Sequence, residues 1–380
     1  MVLLPYGRAP YPLDLGDRAA TIVELPPPPP RVPLRPLLDA ALEEPVDRLR
    51  LEDLSRPGDH ITVIVSDVTR NEPRSEFLAA VRARLPGRRW TLAIATGTHG
   101  PCGVEALGIP ASLLEGMRLV DHDGHSDDDL VVLGTTQRGT VARLHRCVVD
   151  ADLVIATGCI RPHYFAGFGA GVKAIFPGLG AAREVRRNHE LKQRAGARAG
   201  IVDGNPCRDD LEEVVSLLPT PTFLVNGVCA SDGGVFAVVA GDPRSAFRRG
   251  VELARPQFTV RVEAADLVVA SDVLPVTASL YQAAKIAAAM APVVKPGGLL
   301  VLVAECADGT GPLDVVNDAI FRIGVLPRLA EGVRLGLVSS LEDRIVQRTL
   351  LEPFSSVADA MNEIRGRVVV APRASQLLLS

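Results

Sequence analysis

The stretch Asp152-Leu-Val-Ile-Ala-Thr-Gly158 is a short apolar run that ends in a threonine and a glycine, and similar runs recur along the chain. Four more lie in the first part of the sequence: ITVIVS from Ile61, TLAIAT from Thr91, LVVLG from Leu130 and TFLVNGV from Thr222. A strand that is apolar at nearly every position must be buried on both faces, so these runs predict a sheet covered on both sides. The sequence is therefore typical of an α/β fold with mainly parallel sheets.

A second series of apolar runs follows in the last third of the chain. Its members are DLVVAS from Asp266, GLLVLVA from Gly298, VRLGLVS from Val333 and GRVVVAP from Gly366. Between the two series, residues 244–258 have the pattern of an amphipathic helix that ends near Pro256. We therefore predict two α/β domains, residues 1–255 and residues 256–380, and leave open that the last residues return to the N-terminal domain.

The composition indicates an enzyme or binding protein for small molecules. The 380 residues are 47% hydrophobic and 23% charged, with a net charge of −4, and the Lys and Arg residues are scattered, so neither nucleic acid nor an anionic membrane is an expected partner. The six cysteines form no Cys-x-x-Cys pair, which argues against a zinc ribbon or a disulfide framework. No signal peptide or membrane-length apolar run is present. We expect a cytoplasmic protein and leave homo-oligomerisation open.

Functional groups of parallel α/β sheets gather just past the carboxyl ends of the strands. Asp67-Val-Thr69-Arg70 follows the run from Ile61 and offers a carboxylate, a hydroxyl and a guanidinium that could bind phosphate or carboxylate oxygens. A helix-capping aspartate beside a solvated arginine is the alternative, which spacing alone favours. Gly97-Thr98-His99-Gly100 follows the run from Thr91. There a ligand-facing histidine and a buried structural histidine are equally good interpretations.

The segment from Arg161 to Gly178 has the highest density of functional groups. It contains His163, glycines at 167, 169 and 171, and Lys173, a lysine in apolar surroundings that favour a lowered pKa. It is neither a Walker A loop nor a dinucleotide fingerprint, because no Gly-Lys-Ser/Thr is present and the glycine spacing differs. His163, Lys173 and His189 also lack the spacing of a zinc hydrolase.

Two further segments have weaker signals. Leu280-Tyr281-Gln282-Ala-Ala-Lys285 begins a predicted helix, with Gln282 and Lys285 one turn apart on one face, where an amide and an ammonium could bind a carboxylate. An ordinary amphipathic helix with a lysine reaching to solvent is the alternative. The acidic loop over residues 121–129 is better interpreted as a solvated turn than as a metal site.

Taken together, five segments resemble the catalytic protein of the lactate racemase family in order and spacing. They are Asp67-x-Thr69-Arg70, Gly97-Thr98-His99, Pro162-His163-Tyr-Phe-Ala-Gly-Phe168 with Lys173 ten residues past the histidine, Asn188-His189, and Leu280-Tyr281-Gln282-x-x-Lys285. The resemblance extends over essentially the whole chain. It implies two α/β domains with the active site in an interdomain cleft.

The resemblance also implies a cofactor, the nickel pincer nucleotide. This is a pyridinium-derived mononucleotide whose two sulfur groups hold nickel. By the resemblance, Lys173 carries the nucleotide through a thioamide link and His189 is the protein ligand to nickel, a metal for which imidazole is a suitable ligand. The implied partners are a small 2-hydroxyacid substrate and the enzymes that build the cofactor.

The implied reaction is racemisation or epimerisation of a 2-hydroxyacid by reversible hydride transfer from C2. Hydride removal avoids the carbanion that proton removal beside an ionised carboxylate would create. The two enantiomers present their hydroxyls differently, so two acid/base groups are needed, and by the resemblance these are His99 and His163. The other residues of the five segments are implied to bind the substrate carboxylate or cofactor phosphate, or to line the cleft around them: Arg70, Gln282 and Lys285 in the first role, and Asp67, Thr69 and Tyr281 in the second.

Two departures from the family pattern lie beside the expected substrate pocket. They are Gly100-Pro-Cys102 after His99, and residues 275–279 before Leu280. Both favour a bulkier 2-hydroxyacid or a sugar acid over lactate. Two other functions remain as alternatives. A nicotinamide-dependent 2-hydroxyacid dehydrogenase would need a glycine fingerprint that is absent. A non-catalytic nickel-nucleotide carrier would not need both His99 and His163.

Overall fold

A computed structural model describes residues 1–380 and divides them into two compact units. The larger unit is Pro27–Gln257, and the smaller unit combines Met1–Pro26 with Phe258–Ser380. None of the helices has both the length and the apolar character needed to cross a membrane.

The strands are numbered along the chain. They are β1 Val2–Leu4, β2 Tyr11–Leu13, β3 Ala20–Ile22, β4 His60–Ser66, β5 Arg89–Ala95, β6 Met117–Asp121, β7 Leu130–Thr135, β8 Val141–His145, β9 Leu153–Ile160, β10 Pro162–His163, β11 Gly167–Phe168, β12 Thr222–Cys229, β13 Val235–Gly241, β14 Thr259–Val260, β15 Ala265–Ser271, β16 Val294–Val303, β17 Arg334–Val338, β18 Glu352–Pro353, β19 Val368–Ala371 and β20 Leu378–Leu379.

The α-helices are α1 Leu34–Glu43, α2 Leu51–Leu54, α3 Arg74–Arg84, α4 Ala111–Leu114, α5 Arg146–Val149, α6 Ala182–Glu190, α7 Pro206–Ser216, α8 Pro243–Ala254, α9 Leu280–Met290, α10 Asp343–Val346 and α11 Val357–Glu363. A π-helix spans Val315–Arg322. Short 3-10 helices span Val104–Leu107, Gly171–Ala174, Leu191–Gln193, Arg255–Gln257, Ala291–Val293, Leu326–Arg328 and Ala374–Gln376.

The larger unit is built on a six-stranded sheet with the order β13-β12-β9-β4-β5-β6. All neighbours are parallel except β13, which runs antiparallel to β12. Ile61, Val63 and Val65 of β4 pack in one core with Leu38 of α1 and Phe77 of α3. The intervening residues of β4 face the other way and are also buried, so both faces of the sheet are covered, as the continuous apolar run predicts.

The smaller unit contains a fully parallel six-stranded sheet with the order β18-β17-β16-β15-β19-β3. Alternate residues of β15 divide between two cores. Val268 and Ala270 pack with residues of α9, whereas Leu267 and Val269 pack with residues of the first two strands and α11. The predicted α/β class with mainly parallel sheets is therefore confirmed in both units.

The run from Leu130 was expected to join the main sheet, and that expectation is wrong. It forms β7, which pairs antiparallel with β8 in a separate two-stranded sheet. Val132 at its centre is 52% exposed, and the register of the pair shifts between Val132 and Gly134. An apolar run alone does not show whether a strand is covered on both faces or on one.

The division into units also differs from the predicted domains. Residues 1–26 were assigned to the N-terminal domain, but they belong to the smaller unit because β3 pairs with β19. The closing residues do not return to the larger unit, since β20 pairs with β14. The chain passes between the units after Pro26 and after Gln257.

Candidate active site

Asp67 and His99 meet at the carboxyl ends of two neighbouring parallel strands. β4 and β5 are paired along their full lengths, so the residues that follow them lie side by side. His99 Nδ1 is 2.7 Å from Asp67 Oδ2; the carboxylate is almost fully buried and the imidazole is half exposed. Asp67 does not cap α3, which begins after Pro73 without a side-chain cap. The site therefore has a fixed histidine whose Nε2 atom faces away from the carboxylate.

Thr69 fixes the orientation of the Asp67 carboxylate. Its backbone N–H and its hydroxyl both donate to Asp67 Oδ1, at 3.0 Å and 2.5 Å. Arg70 Nη1 donates in turn to Thr69 Oγ1 at 3.0 Å. Burial alone would raise the pKa of Asp67, but the hydrogen bonds from His99 and Thr69 outweigh it and lower that pKa. The carboxylate is therefore ionised and can accept the Nδ1 proton of His99.

His163 lies in a tight hairpin whose two short strands, β10 and β11, pair His163 with Gly167. The backbone N–H of Ala166 donates to His163 Nδ1 at 3.2 Å. A nitrogen that accepts a hydrogen bond has no proton, so the proton of the neutral ring is assigned to Nε2. Gly167 has φ +75°, and a Cβ there would lie 2.0 Å from the carbonyl oxygen of Ile201, so only glycine fits this turn.

Lys173 lies in the 3-10 helix that follows the hairpin. The N–H of Gly171 at its start donates to the buried side chain of Asn226 at 2.8 Å. The carbonyl of Lys173 accepts from the N–H of Gly178 at 3.0 Å, and the carbonyl of Gly178 accepts from the N–H of Gly97 at 2.9 Å. This chain of hydrogen bonds connects the loop of Lys173 to the turn that carries His99.

The aromatic ring of Phe165 is the meeting point of His163, Lys173 and His189. The ring centroids of His163 and His189 lie 4.6 Å and 4.9 Å from that of Phe165, and Lys173 Nζ lies 5.8 Å from it. His189 reaches this position from the last turn of α6. Three of the predicted site residues, up to 26 positions apart in the chain, are thus gathered around one side chain.

The pKa values of the three groups around Phe165 are all lowered. The side chains of His163, Lys173 and His189 are each partly exposed. The protein atoms packed around them nevertheless remove most of their contact with water, so burial is the main cause of each pKa shift. Burial, and then the charges of Arg208 and Arg70, hold the pKa of Lys173 well below its usual value. Burial and the charge of Lys173 also hold the pKa of His163 well below its usual value. The same two causes lower the pKa of His189 to about 3.

The charge of Arg70 connects the two groups of residues. It lowers the pKa of both His163 and Lys173, so its guanidinium lies within electrostatic reach of both while its hydrogen bonds go to Thr69. One region of the larger unit therefore contains both groups, the first formed by Asp67, Thr69 and His99 and the second by the residues around Phe165. This region has an excess of positive charge and would favour an anionic ligand.

Tyr281, Gln282 and Lys285 lie on α9 of the smaller unit. Ser279 caps the helix, and Lys285 Nζ donates to Gln282 Oε1 at 2.5 Å, so these two side chains share one face as predicted. Tyr281 is 40% exposed. The ammonium and the amide form a polar pair near the start of the helix.

The residues around Phe165 fit a lysine-linked nucleotide that carries its own metal. A neutral amine at Lys173 is nucleophilic, and a neutral imidazole at His189 has a lone pair for a metal. No group of three or more His, Cys, Asp or Glu side chains that could hold a metal ion is present. Lys173 and His189 thus place an amine and an imidazole against the same aromatic ring.

The sequence analysis missed Phe165, Asn205 and Arg208. Phe165 was part of a quoted segment but had no assigned role, although its ring contacts three of the predicted site residues. Asn205 and Arg208, at the start of α7, donate to backbone carbonyls of the segment that carries His163. The Asn-Pro pair at 205–206 is typical of a helix start, but no local pattern indicates that Arg208 is buried.

The chain is similar to proteins of known family over most of its length. A family model described as the lactate racemase N-terminal domain matches residues 6–200. The lactate racemase of Thermoanaerobacterium thermosaccharolyticum is 29% identical over 344 residues, covering 84% of this chain and 80% of the relative. The lactate racemase of Lactiplantibacillus plantarum is 28% identical over 283 residues, covering 72% of this chain and 66% of the relative.

Two solved structures are similar in fold. The lactate racemase apoprotein from Thermoanaerobacterium thermosaccharolyticum superimposes with a TM-score of 0.86 at 25% identity, covering 100% of this chain and 99% of that one. A structural-genomics protein from Thermotoga maritima has a TM-score of 0.64 at 16% identity, covering 87% of this chain and 95% of that one. The second match concerns the fold alone.

Proposed function

This chain belongs to the lactate racemase family and is an isomerase, and from that premise we propose that it racemises or epimerises a 2-hydroxyacid at C2, using a nickel pincer nucleotide linked to Lys173. The observation that carries the proposal is the convergence of His163, Lys173 and His189 on Phe165. When bound, the nucleotide would supply an acceptor for the C2 hydride. The remaining steps fall to side chains of the protein.

Lys173 is the proposed attachment point, and His189 the proposed protein ligand to nickel. Both need a lone pair, and burial together with neighbouring positive charge favours the neutral form of each. The ring of Phe165 lies against both groups. It would exclude water from one side of the bound nucleotide.

His99 is the proposed base for the substrate hydroxyl in one direction. Its Nδ1 proton is donated to the ionised carboxylate of Asp67, which leaves Nε2 as the acceptor. As Nε2 takes the hydroxyl proton, the imidazolium that forms is stabilised by the adjacent carboxylate. When the hydride returns to the opposite face of C2, the substrate oxygen would be reprotonated by the second acid/base group, and proton exchange with water would restore both histidines, so the overall reaction changes only the configuration.

His163 is the proposed second acid/base group. Its neutral ring presents an N–H at Nε2, so it begins as a hydrogen-bond donor where His99 begins as an acceptor. To transfer a proton it must first become charged, which burial and the neighbouring cations oppose. An anionic substrate and the nucleotide phosphate would offset those cations and raise the pKa of His163 towards the working pH.

Positive and polar groups are proposed to bind the anions. Arg70 is the candidate in the larger unit, since its guanidinium acts electrostatically on both His163 and Lys173. Gln282 and Lys285 are candidates in the smaller unit, because an amide and an ammonium in contact can present N–H groups to a carboxylate or a phosphate. Asp67, Thr69 and Tyr281 are proposed to line the site.

The substrate is proposed to be larger than lactate. Gly100 follows His99 with φ +81°, and a Cβ built there would meet no heavy atom within 4 Å, so there is open space next to the backbone that follows the proposed base. The next residues are fixed in place, because the N–H groups of Cys102 and Gly103 both donate to the Asp121 carboxylate. A rigid loop with open space beside His99 suits a longer 2-hydroxyacid or a sugar acid.

The test is to produce the protein together with the enzymes that build the cofactor. We expect a mass increase on the peptide that contains Lys173, and interconversion of enantiomers in a chiral assay over a panel of 2-hydroxyacids. Lys173→Ala should abolish both the mass increase and the activity. His189→Ala should lose nickel, whereas His99→Ala and His163→Ala should retain nickel and lose activity. A fully active enzyme without the mass increase would sink the proposal.

A further inference from the structure

Arg208 is a completely buried guanidinium that has no carboxylate within ion-pair distance. It lies over the ring of Phe247, 4.3 Å from its centroid. Its hydrogen bonds go to three backbone carbonyls of one short segment: Nε donates to Ala166 at 3.4 Å, Nη1 to Ala170 at 3.5 Å, and Nη2 to Phe168. Glu212 acts on Arg208 only through its charge, without an ion pair, and a buried cation whose hydrogen bonds all go to backbone carbonyls is uncommon because burying a charge is costly. The hydrogen-bond partners of Arg208 therefore indicate that it holds this backbone segment in place.

Asn205 binds the same segment at Phe165, the residue before Ala166. Its Nδ2 atom donates to the carbonyl of Phe165 at 2.8 Å, while its Oδ1 atom accepts from the first N–H groups of α7. Asn205 and Arg208 together fix the carbonyls of Phe165, Ala166, Phe168 and Ala170 to the first turn of α7. This is the stretch between His163 and Lys173.

A second buried group on α7 holds the helix of His189. Asp210 accepts hydrogen bonds from the hydroxyls of Thr136 and Thr140, at 2.6 Å and 2.7 Å, and from Asn188 Nδ2 at 2.8 Å. Asn188 also donates to the carbonyl of Cys207 on α7, at 3.0 Å. Asn188 immediately precedes His189 on α6, so these bonds fix the last turn of α6 against α7.

We propose that α7 is the positioning element of the site, with Arg208 setting the geometry of the His163–Lys173 segment and the Asp210–Asn188 pair setting that of His189. This inference rests on the proposed function, because it gives those three side chains their roles. Neither Arg208 nor Asp210 is placed against a ligand; both act through the residues they hold. The guanidinium suits this task because its rigid planar fork donates in several fixed directions at once, which an ammonium cannot do.

The test for Arg208 is the conservative variant Arg208→Lys, which keeps the charge and removes the fork. Arg249→Lys, on the exposed surface of α8, where Arg249 pairs with Glu252 of its own helix, is the matched control. We expect Arg208→Lys to fold with a lowered Tm, because the ammonium leaves some of the three carbonyls without a donor, and to exchange amide hydrogens faster over residues 163–173 than over the strands of the main sheet. Its kcat per Lys173 adduct should fall at least tenfold with little change in KM, since small displacements of reacting groups slow catalysis strongly. Wild-type exchange together with wild-type kcat in Arg208→Lys would overturn the proposal.

The test for the second pair is Asn188→Ala, with Arg187→Ala on the exposed face of the same helix as its control. Asp210 would keep both hydroxyl donors, so no buried charge is left without partners. We expect faster exchange over residues 182–190 in Asn188→Ala only. Equal exchange in the two variants would count against the role of Asp210.

Hydrogen exchange is measured on the protein without cofactor, so it separates the two proposals. If wild-type protein does not racemise any 2-hydroxyacid while Arg208→Lys still loosens residues 163–173, the proposed function fails and α7 remains the element that holds this segment. If wild-type protein racemises and Arg208→Lys matches it in kcat, KM and exchange, the positioning role fails and the function remains.

Discussion

His99 and His163 have the same side chain but present different atoms to a ligand. His99 donates its Nδ1 proton to Asp67, whereas His163 accepts at Nδ1 from the N–H of Ala166. The first ring therefore offers a lone pair at Nε2 and the second offers an N–H. At the scale of the single residue, the hydrogen-bond partner of one nitrogen decides what the other nitrogen can do.

Asp67→Asn should convert the base at His99 into a donor. Thr69 donates twice to Oδ1 of Asp67, so an asparagine would place its oxygen there and its NH2 group against His99 Nδ1. That contact forces the ring proton to Nε2, where the lone pair is needed. We expect kcat to fall by about 10²-fold or more, with the Lys173 adduct unchanged.

The control for this variant is Asp123→Asn. The Asp123 carboxylate accepts the backbone N–H of His125, two residues later, just as the Asp67 carboxylate accepts that of Thr69. The measurement is kcat from a chiral assay, normalised to the adduct seen by mass spectrometry. A variant at Asp67 with wild-type kcat would mean that His99 does not act as the base through Nε2.

At the scale of the element, His145 shows how a short helix can depend on pH. It caps α5, accepting from the N–H of Cys147 at Nδ1, at 3.1 Å. Burial, and then the charge of His122, lowers the pKa of His145 to about 4. Protonation would also remove the lone pair that accepts the capping hydrogen bond. The neutral ring is thus part of the structure of this element.

The larger unit should lose stability as the pH falls below 6.5. In that range the unfolded chain binds a proton at His145 while the folded protein does not, and the difference persists until the pH reaches about 4. Between pH 7.5 and pH 5 this one histidine should reduce the free energy of unfolding by about 2 kcal/mol. His145→Asn keeps a good capping residue and removes the titration.

The measurement is urea unfolding at both pH values, followed by the fluorescence of Trp90, the only tryptophan, which lies in the larger unit. We expect the variant to lose about 2 kcal/mol less than the wild type between the two pH values. The same loss in both proteins would show that His145 titrates normally in the folded state.

The strand β7 shows the limit of pattern analysis for an element. Its run of apolar residues predicted a place in the main sheet, yet it forms a separate hairpin with β8 and leaves Val132 exposed. The runs that became β4 and β9 have a similar composition and are buried at nearly every position. Composition predicts that a strand forms, and neighbours elsewhere in the chain determine which sheet it joins.

At the scale of the whole molecule, the chain begins and ends in the same unit. Leu4 and Leu13, which are nearly inaccessible to solvent, pack in a core with Leu267, Val269 and Val370. The first 26 residues are therefore part of the smaller unit, although more than 200 residues separate them from the rest of it. Truncations designed on a simple boundary near residue 255 would remove this part of the core.

Leu13→Ala and Leu38→Ala should loosen different units. Leu13 is 1% exposed in the smaller unit and Leu38 is completely buried in the larger one, so each substitution should cost about 2–5 kcal/mol locally. By hydrogen exchange, we expect Leu13→Ala to loosen β15, β16 and β19, and Leu38→Ala to loosen β4 and β5. Faster exchange of β4 in Leu13→Ala would contradict this assignment of residues 1–26.

The α/β class, most of the strands and the five segments that indicate the family can all be derived from the sequence alone. These are local properties: an apolar run indicates a strand through its own composition, and Asp67, Thr69 and Arg70 are neighbours in the chain. Tertiary structure alone decided that Phe165 gathers His163, Lys173 and His189, and that residues 1–26 complete the smaller unit.

Arg208 is the clearest case of what only tertiary structure decides. In the sequence it is one arginine in a polar stretch, 40 positions from the carbonyl of Phe168 that it binds. Its burial depends on α7 packing against a hairpin formed by residues well before it in the chain. A residue that acts through distant backbone leaves no local pattern, because packing rather than sequence spacing determines its partners.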